Sequence, residues 1–299
     1  MNICNHDLIT ANIELLINRS HTNEEHKNDN SMAKQKGLLK IEGKLDDISF
    51  YRSGGKYLAR MKGGVDGNRI ATDPTFQRTR ENGSEFGRSA TSGKLLRTAV
   101  RNLMSNAKDR LVTSRLTKVM TQIKNLDSKN IRGERSAGIG IMESEGKAFL
   151  KGFNFNLKAV FSSIFFAQFS LDKSSGAISI PGLNPINDVV APGGATHMAM
   201  KAGWSNVNFE KGTFDTTISN VETFPINAEE RDINLVLAST PKGDGCGFHL
   251  LHIEFFQEVN GDLYSLKNGS YNSLSIVDVT DAPDVNDNEE SDAEGDVES

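Results

Sequence analysis

The chain has 299 residues, a hydrophobic fraction of 37% and a formal net charge of −5. That length accommodates two modest domains, each with its own core, and two cysteines, Cys4 and Cys246, exclude a disulfide-stapled mini-protein. No apolar run approaches the roughly 18 residues of a membrane span, because the longest cluster, residues 159–169, is broken by serines and a glutamine.

Residues 1–31 are asparagine-rich and hold three of the six histidines, His6, His21 and His26, without an amphipathic period. They lack a basic leading region and a small-residue cleavage site, so no secretory signal is expected and a reduced, cytoplasmic setting is. Met32 opens "MAKQKGLLKIEGK", which reads as the native start after a non-native leader; the alternative is a genuine but disordered arm.

The region 32–72 centres on "DISFYRSGGKYLARMKGG". A two-residue turn at Gly54-Gly55 would pair Ser53 with Lys56, Arg52 with Tyr57, Tyr51 with Leu58, Phe50 with Ala59 and Ile48 with Met61. That register sets Ile48, Phe50, Ala59 and Met61 on one face of a half-buried hairpin, and residues 37–43 can add a third strand. A phosphate loop would need glycine at Phe50 and a hydroxyl at Tyr57, so the glycines bend a ribbon and do not hold an anion. Lys94 and the "AGIGIME" run fail the phosphate and dinucleotide patterns similarly. The basic fringe, Arg52, Lys56, Arg60 and Lys62, is a candidate docking surface.

The region 73–150 reads as basic and helical. Asp73 followed by Pro74 is a helix start, with a helix expected over 74–91, and Gly83 within it suggests close packing. Leu96, Val100, Leu103 and Ala107, then Val112, Leu116, Val119 and Ile123, step by fours and threes, as one long amphipathic helix or a pair would. Arg97, Arg101, Lys108, Arg110, Arg115, Lys118 and Lys124 lie on the polar side. They are a solvated face or a contact for a nucleic-acid backbone, although no base-reading motif accompanies them.

The region 151–280 turns to short alternating runs separated by turn residues, among them 196–209, 216–224, 232–240, 248–259 and 273–279. Seven or eight short strands imply an Ig-like antiparallel β-sandwich, with the cluster at 159–169 as buried strand. Cys246, His249 and His252 invite a metal site, but strand alternation puts Cys246 and His252 on one face and His249 on the other with Leu251, Ile253 and Phe255. No nucleophile elbow or carboxylate pair appears, so no catalytic residue, cofactor or small-molecule substrate is assigned.

Residues 281–299 form an acidic tail, expected to be disordered and without the spacing of a calcium loop. The charge is polarised: residues 31–151 hold 25 Lys and Arg against 12 Asp and Glu, whereas 152–299 hold 7 against 22. Opposite halves favour association between copies or capture of a polyanion by the basic half.

The runs "GKLDDISFYRSGGKYLARMKGGVDGNRIATDPTFQRTRENGSEFGRSATSGKLLR" and "FSLDKSSGAISIPGLNPINDVVAPGGATHMAM" resemble an uncharacterised protein family of Bacteroidota bacteria, over most of Met32 to about residue 280. The resemblance implies a hairpin opening and a β-rich end, and it carries no activity. At the level of fold it is also reminiscent of structural modules of phage-like elements. The expectation is an α+β protein, a non-enzymatic structural or interaction module that self-associates or binds a protein partner. The alternative is a nucleic-acid-binding protein using Arg97, Arg101, Arg110, Arg115 and Lys118.

Overall fold

The computed structural model describes residues 33–36, 39–61 and 64–281. The leader with Cys4, Met32, Lys62 and the acidic run from residue 282 lie outside the described residues. The chain divides into two units, the first ending at Thr72 and the second starting at Asp73.

The first unit is a four-stranded antiparallel sheet in the order β1 (Ala33–Lys34), β4 (Lys56–Met61), β3 (Ile48–Ser53), β2 (Gly43–Leu45), with a short helix, α1 (Gly67–Thr72). β3 and β4 pair in the register read from the sequence, from Ser53 opposite Lys56 to Ile48 opposite Met61. The turn glycines have φ of 56° and 76°, as a type I′ turn requires. The third strand comes from Gly43–Leu45, later than the expected 37–43, and β1 adds a fourth. Directly opposed residues share a face, so Leu45, Ile48, Phe50, Ala59 and Met61 line one side; Ile48 and Met61 are 37% and 72% exposed, less covered than a half-buried ribbon implies. Gly55→Val is expected to weaken this hairpin by about 1–2 kcal/mol, because a β-branched residue is strained at positive φ. Amide exchange of β3 and β4 measures it, with Gly54→Asn, which tolerates such φ, as the milder comparison.

In the second unit Asp73 caps as read, accepting from Thr75 N at 2.9 Å, and a single 3₁₀ turn at Pro74–Phe76 leads into α2 (Gln77–Ala99). α3 (Arg101–Met104) and α4 (Val112–Lys124) follow, so the amphipathic stretch is several helices broken around 105–111. Leu96, Val100, Leu103, Ala107, Val112, Leu116 and Ile123 are all buried, and Val119 packs against them. Gly83 is not a close contact: a Cβ there would meet nothing within 4 Å, while Gly93, one turn before Leu96, would have Leu116, Met120 and Thr117 at 3.7 Å. α5 (Ala137–Gly140), α6 (Ser144–Leu150) and α7 (Phe161–Ile164) complete the helices before the strands.

The strand-rich part holds two antiparallel sheets. β7 (His197–Asn208) and β11 (Cys246–Val259) form a long central ribbon; β9 (Glu222–Pro225) and β8 (Thr213–Ile218) pair with successive parts of β7, and β12 (Asp262–Ser265) and β13 (Ser273–Thr280) with successive parts of β11. A three-stranded sheet has the order β10 (Arg231–Leu235), β6 (Ile178–Leu183), β5 (Ser170–Leu171), and α8 (Pro185–Asp188) follows β6. Alternation along β11 divides the core. Phe248 and Leu250 face the helices with Leu96, Leu103 and Leu116, whereas Leu251, Ile253 and Phe255 face the second sheet with Ile178, Ile180 and Leu235. The helices and strands of 73–280 therefore share cores within one unit. The protein is α+β.

The cluster at 159–169 is not a strand. Phe161, Phe165 and Phe169, at intervals of four, bring their rings to 5.3–6.5 Å of one another around the α7 turn, whose first N–H, Phe161 N, donates to Asn154 Oδ1 at 2.8 Å. Only Phe161–Ile164 is helical, and Phe165 is extended and bridges Val189, so the run folds as one turn and a bend that gathers its rings.

Candidate functional site

Three anchors organise the second unit. Glu85, 1% exposed on α2, accepts from Arg135 Nε at 2.8 Å, Arg135 Nη2 at 2.9 Å and Gly133 N at 2.8 Å, and is ion-paired with Lys124 at the end of α4. Hydrogen bonding from Arg135 leads the causes that hold its carboxyl far below the usual range, against an opposing burial contribution. Asp127 accepts from the backbone of Lys129, Asn130 and Ser136, which closes the loop carrying Gly133 and Arg135. Asp109 joins Arg115 at 2.5 Å and accepts from Leu111 N and Leu157 N.

The cations read from the sequence fall into distinct settings. Arg115 is engaged internally: besides Asp109 it donates to the Asn154 and Phe155 carbonyls at 2.7 and 3.2 Å and lies over the Phe153 ring at 5.1 Å. Arg97 donates to Thr113 Oγ1, and burial lowers its pKa from the usual arginine value. Arg101 on α3 is exposed. Arg110 and Lys118 are exposed as well, and they share a groove. In the first unit Arg52 lies over Tyr57 at 5.5 Å on the apolar face, whereas Lys56 and Arg60 are on the reverse, Arg60 over Tyr51 at 5.5 Å; the three do not converge.

That groove, of about 730 Å³, runs between α2 and α4. Phe86 and Ala90, one turn apart, form one wall; Thr113, Thr117 and Thr121, together with Ser114, Lys118 and Gln122, form the other, with Arg110 at the rim. The hydroxyls of Thr117 and Thr121 donate to the carbonyls four residues back, and that of Ser114 to Leu111 O, each at 2.9 Å. The hydroxyls of Thr117 and Thr121 are thus turned onto the helix backbone and that of Thr113 is held by Arg97, so the wall is less polar than its sequence. Phe86, 59% exposed, stands at its edge. Hydropathy alone hid the groove; the regular i, i+4 threonines beside one exposed phenylalanine were the available signal.

The histidines separate as the strand alternation implies. His249 stacks on Trp204 at 4.8 Å and approaches Thr280 Oγ1 at 3.3 Å. His252, on the opposite face, approaches Asn106 Oδ1 at 3.3 Å, and Asn106 donates to Glu254 at 2.5 Å. Burial pushes the Cys246 thiol up to about 11, which makes it a poor nucleophile. Among the described residues no group of three or more His, Cys, Asp or Glu is placed to hold a metal ion, and no helix is long and apolar enough to cross a membrane. No family model matches the chain, and neither a curated protein nor a solved structure does.

Proposed function

We propose that this chain is a non-enzymatic structural and protein-interaction module of the cytoplasm that self-associates through the α2/α4 groove. The observation that supports this reading is the groove: an apolar floor between two helices, rimmed by Arg110 and Lys118, in a chain whose other half carries 22 acids against 7 bases. An apolar centre with a charged rim is the anatomy of a protein contact, and opposite charges bring copies together head to tail. We read the two facing sheets as an Ig-like sandwich that serves as a rigid mount; their antiparallel pairing and shared core support that. Membership in the Bacteroidota family is part of the same proposal and rests on the two runs quoted above. The nucleic-acid alternative on the helices is weakened because Arg97 and Arg115 make internal bonds.

Light scattering across protein concentration tests the groove. The expected result is a mass that rises with concentration, falls back toward the monomer near 1 M salt, where the screening length shrinks to about 3 Å, and stays monomeric in Phe86→Asp/Thr117→Arg. A concentration-independent monomer, or association untouched by that double variant, would overturn the reading.

A further inference from the structure

The four-stranded sheet of the first unit has two unlike faces. Opposite to the apolar one, the register groups Lys44, Ser49 and Arg60 in one row, Tyr51, Leu58 and Lys34 in the next, and Ser53 with Lys56 in the last. Lys34, Lys44, Lys56 and Arg60 are exposed. No strand residue of this sheet is acidic; the acids among the unit's described residues, Glu42, Asp46, Asp47 and Asp66, lie outside the strands, with Glu42 two residues before Lys44 at the start of β2. Among the described residues no carboxylate forms a salt bridge with any of the four cations.

Strand spacing and the two-residue repeat place successive cations roughly 8 to 10 Å apart along an arc that runs from Lys44 through Arg60 and Lys34 back to Lys56 on β4. An arc of cations at that spacing on an open sheet is a track for a regularly charged chain. Tyr51, on β3 at the inner side of the arc, lies beneath the Arg60 guanidinium, an aromatic ring paired with a planar cation beside the lysines. We propose that this face binds single-stranded nucleic acid, the cations following the phosphates and the Tyr51–Arg60 pair supporting a base. Single strands fit better than duplex because the face is flat and projects no element into a groove, while a stacking ring beside cations suits unpaired bases. An acidic peptide offers charge without a base to stack.

The test is fluorescence anisotropy of the full chain with a labelled oligodeoxythymidylate about 20 nucleotides long. With three or four phosphates neutralised, affinity is expected to fall roughly 20- to 50-fold between 50 and 200 mM salt, from a slope of about 0.7 per phosphate. Lys34→Gln/Lys44→Gln/Lys56→Gln/Arg60→Gln should abolish both the binding and its salt slope, and Lys56→Gln alone should lower the slope by about 0.7. Arg52→Gln on the reverse face and Arg110→Gln/Lys118→Gln at the groove should leave binding unchanged. Tyr51→Ala should weaken the single strand more than an equal length of duplex. Binding that survives the fourfold change, is lost on changing Arg110 and Lys118, or is matched by a labelled peptide of residues 282–299 would overturn the proposal. None of these outcomes depends on self-association through the groove.

Discussion

Glu85→Ala is expected to destabilise the second unit by about 3–5 kcal/mol, the usual consequence of removing one partner from a buried ion pair. The carboxylate is 1% exposed and joins three segments: α2, the end of α4 through Lys124, and the 127–136 loop through Arg135 and Gly133 N. Its loss leaves the Lys124 ammonium, 9% exposed, without its anion. For a domain of this size the melting temperature should drop by roughly 10–15 °C. Glu85→Gln separates charge from shape, because the amide keeps one acceptor and loses the negative charge; it should fall between wild type and alanine. The acid limb of stability carries the same signature. A carboxyl held below its unfolded value of 4.5 contributes stability that is fully present above that value and is lost as pH falls through the lower folded one, so the Glu85 contribution should disappear only in strong acid. A thermal melt of Glu85→Ala within about 1 kcal/mol of wild type would remove the three-segment anchor from this account.

Between neutrality and pH 5 the buried histidines should dominate. Burial depresses His249 to about 4, with Asp278 opposing and Lys173 adding to the shift, and depresses His252 to about 3, with Lys201 adding. Both therefore remain neutral in the fold when the unfolded chain, at 6.5, already binds a proton. The contribution is absent above the unfolded value and grows as pH falls below it. Well below 6.5 each histidine lowers stability by about 1.4 kcal/mol per pH unit, so denaturant titrations at pH 6.5 and 5 should differ by about 3 kcal/mol. His249→Phe keeps the stack on Trp204 and should remove about half of that slope; His252→Gln keeps a donor toward Asn106 and should remove most of the remainder. An unchanged slope in the double variant would assign the pH dependence to other groups.

Much of this architecture can be read from local pattern. The Gly54-Gly55 ribbon and its register, the capped start at Asp73, the buried positions from Leu96 to Ile123 and the two faces of β11 depend on turn chemistry and on periods of two and 3.6, which are properties of neighbours in the chain. Side-chain alternation was also enough to separate Cys246 and His252 from His249. What neighbours cannot state is which partner a side chain meets across the fold. Glu85 binds Arg135 50 positions away, Arg115 binds the Asn154 carbonyl 39 positions away, and Phe165, extended after the single turn at Phe161–Ile164, bridges Val189 24 positions away. The groove exists only where α2 and α4 lie side by side, and the basic track only where β1 and β2 flank the hairpin. Charge composition marked the first half of the chain as cationic, but tertiary pairing decided which cations are bound inward, like Arg115, and which, like Lys34, Lys44 and Lys56, are presented outward on one face.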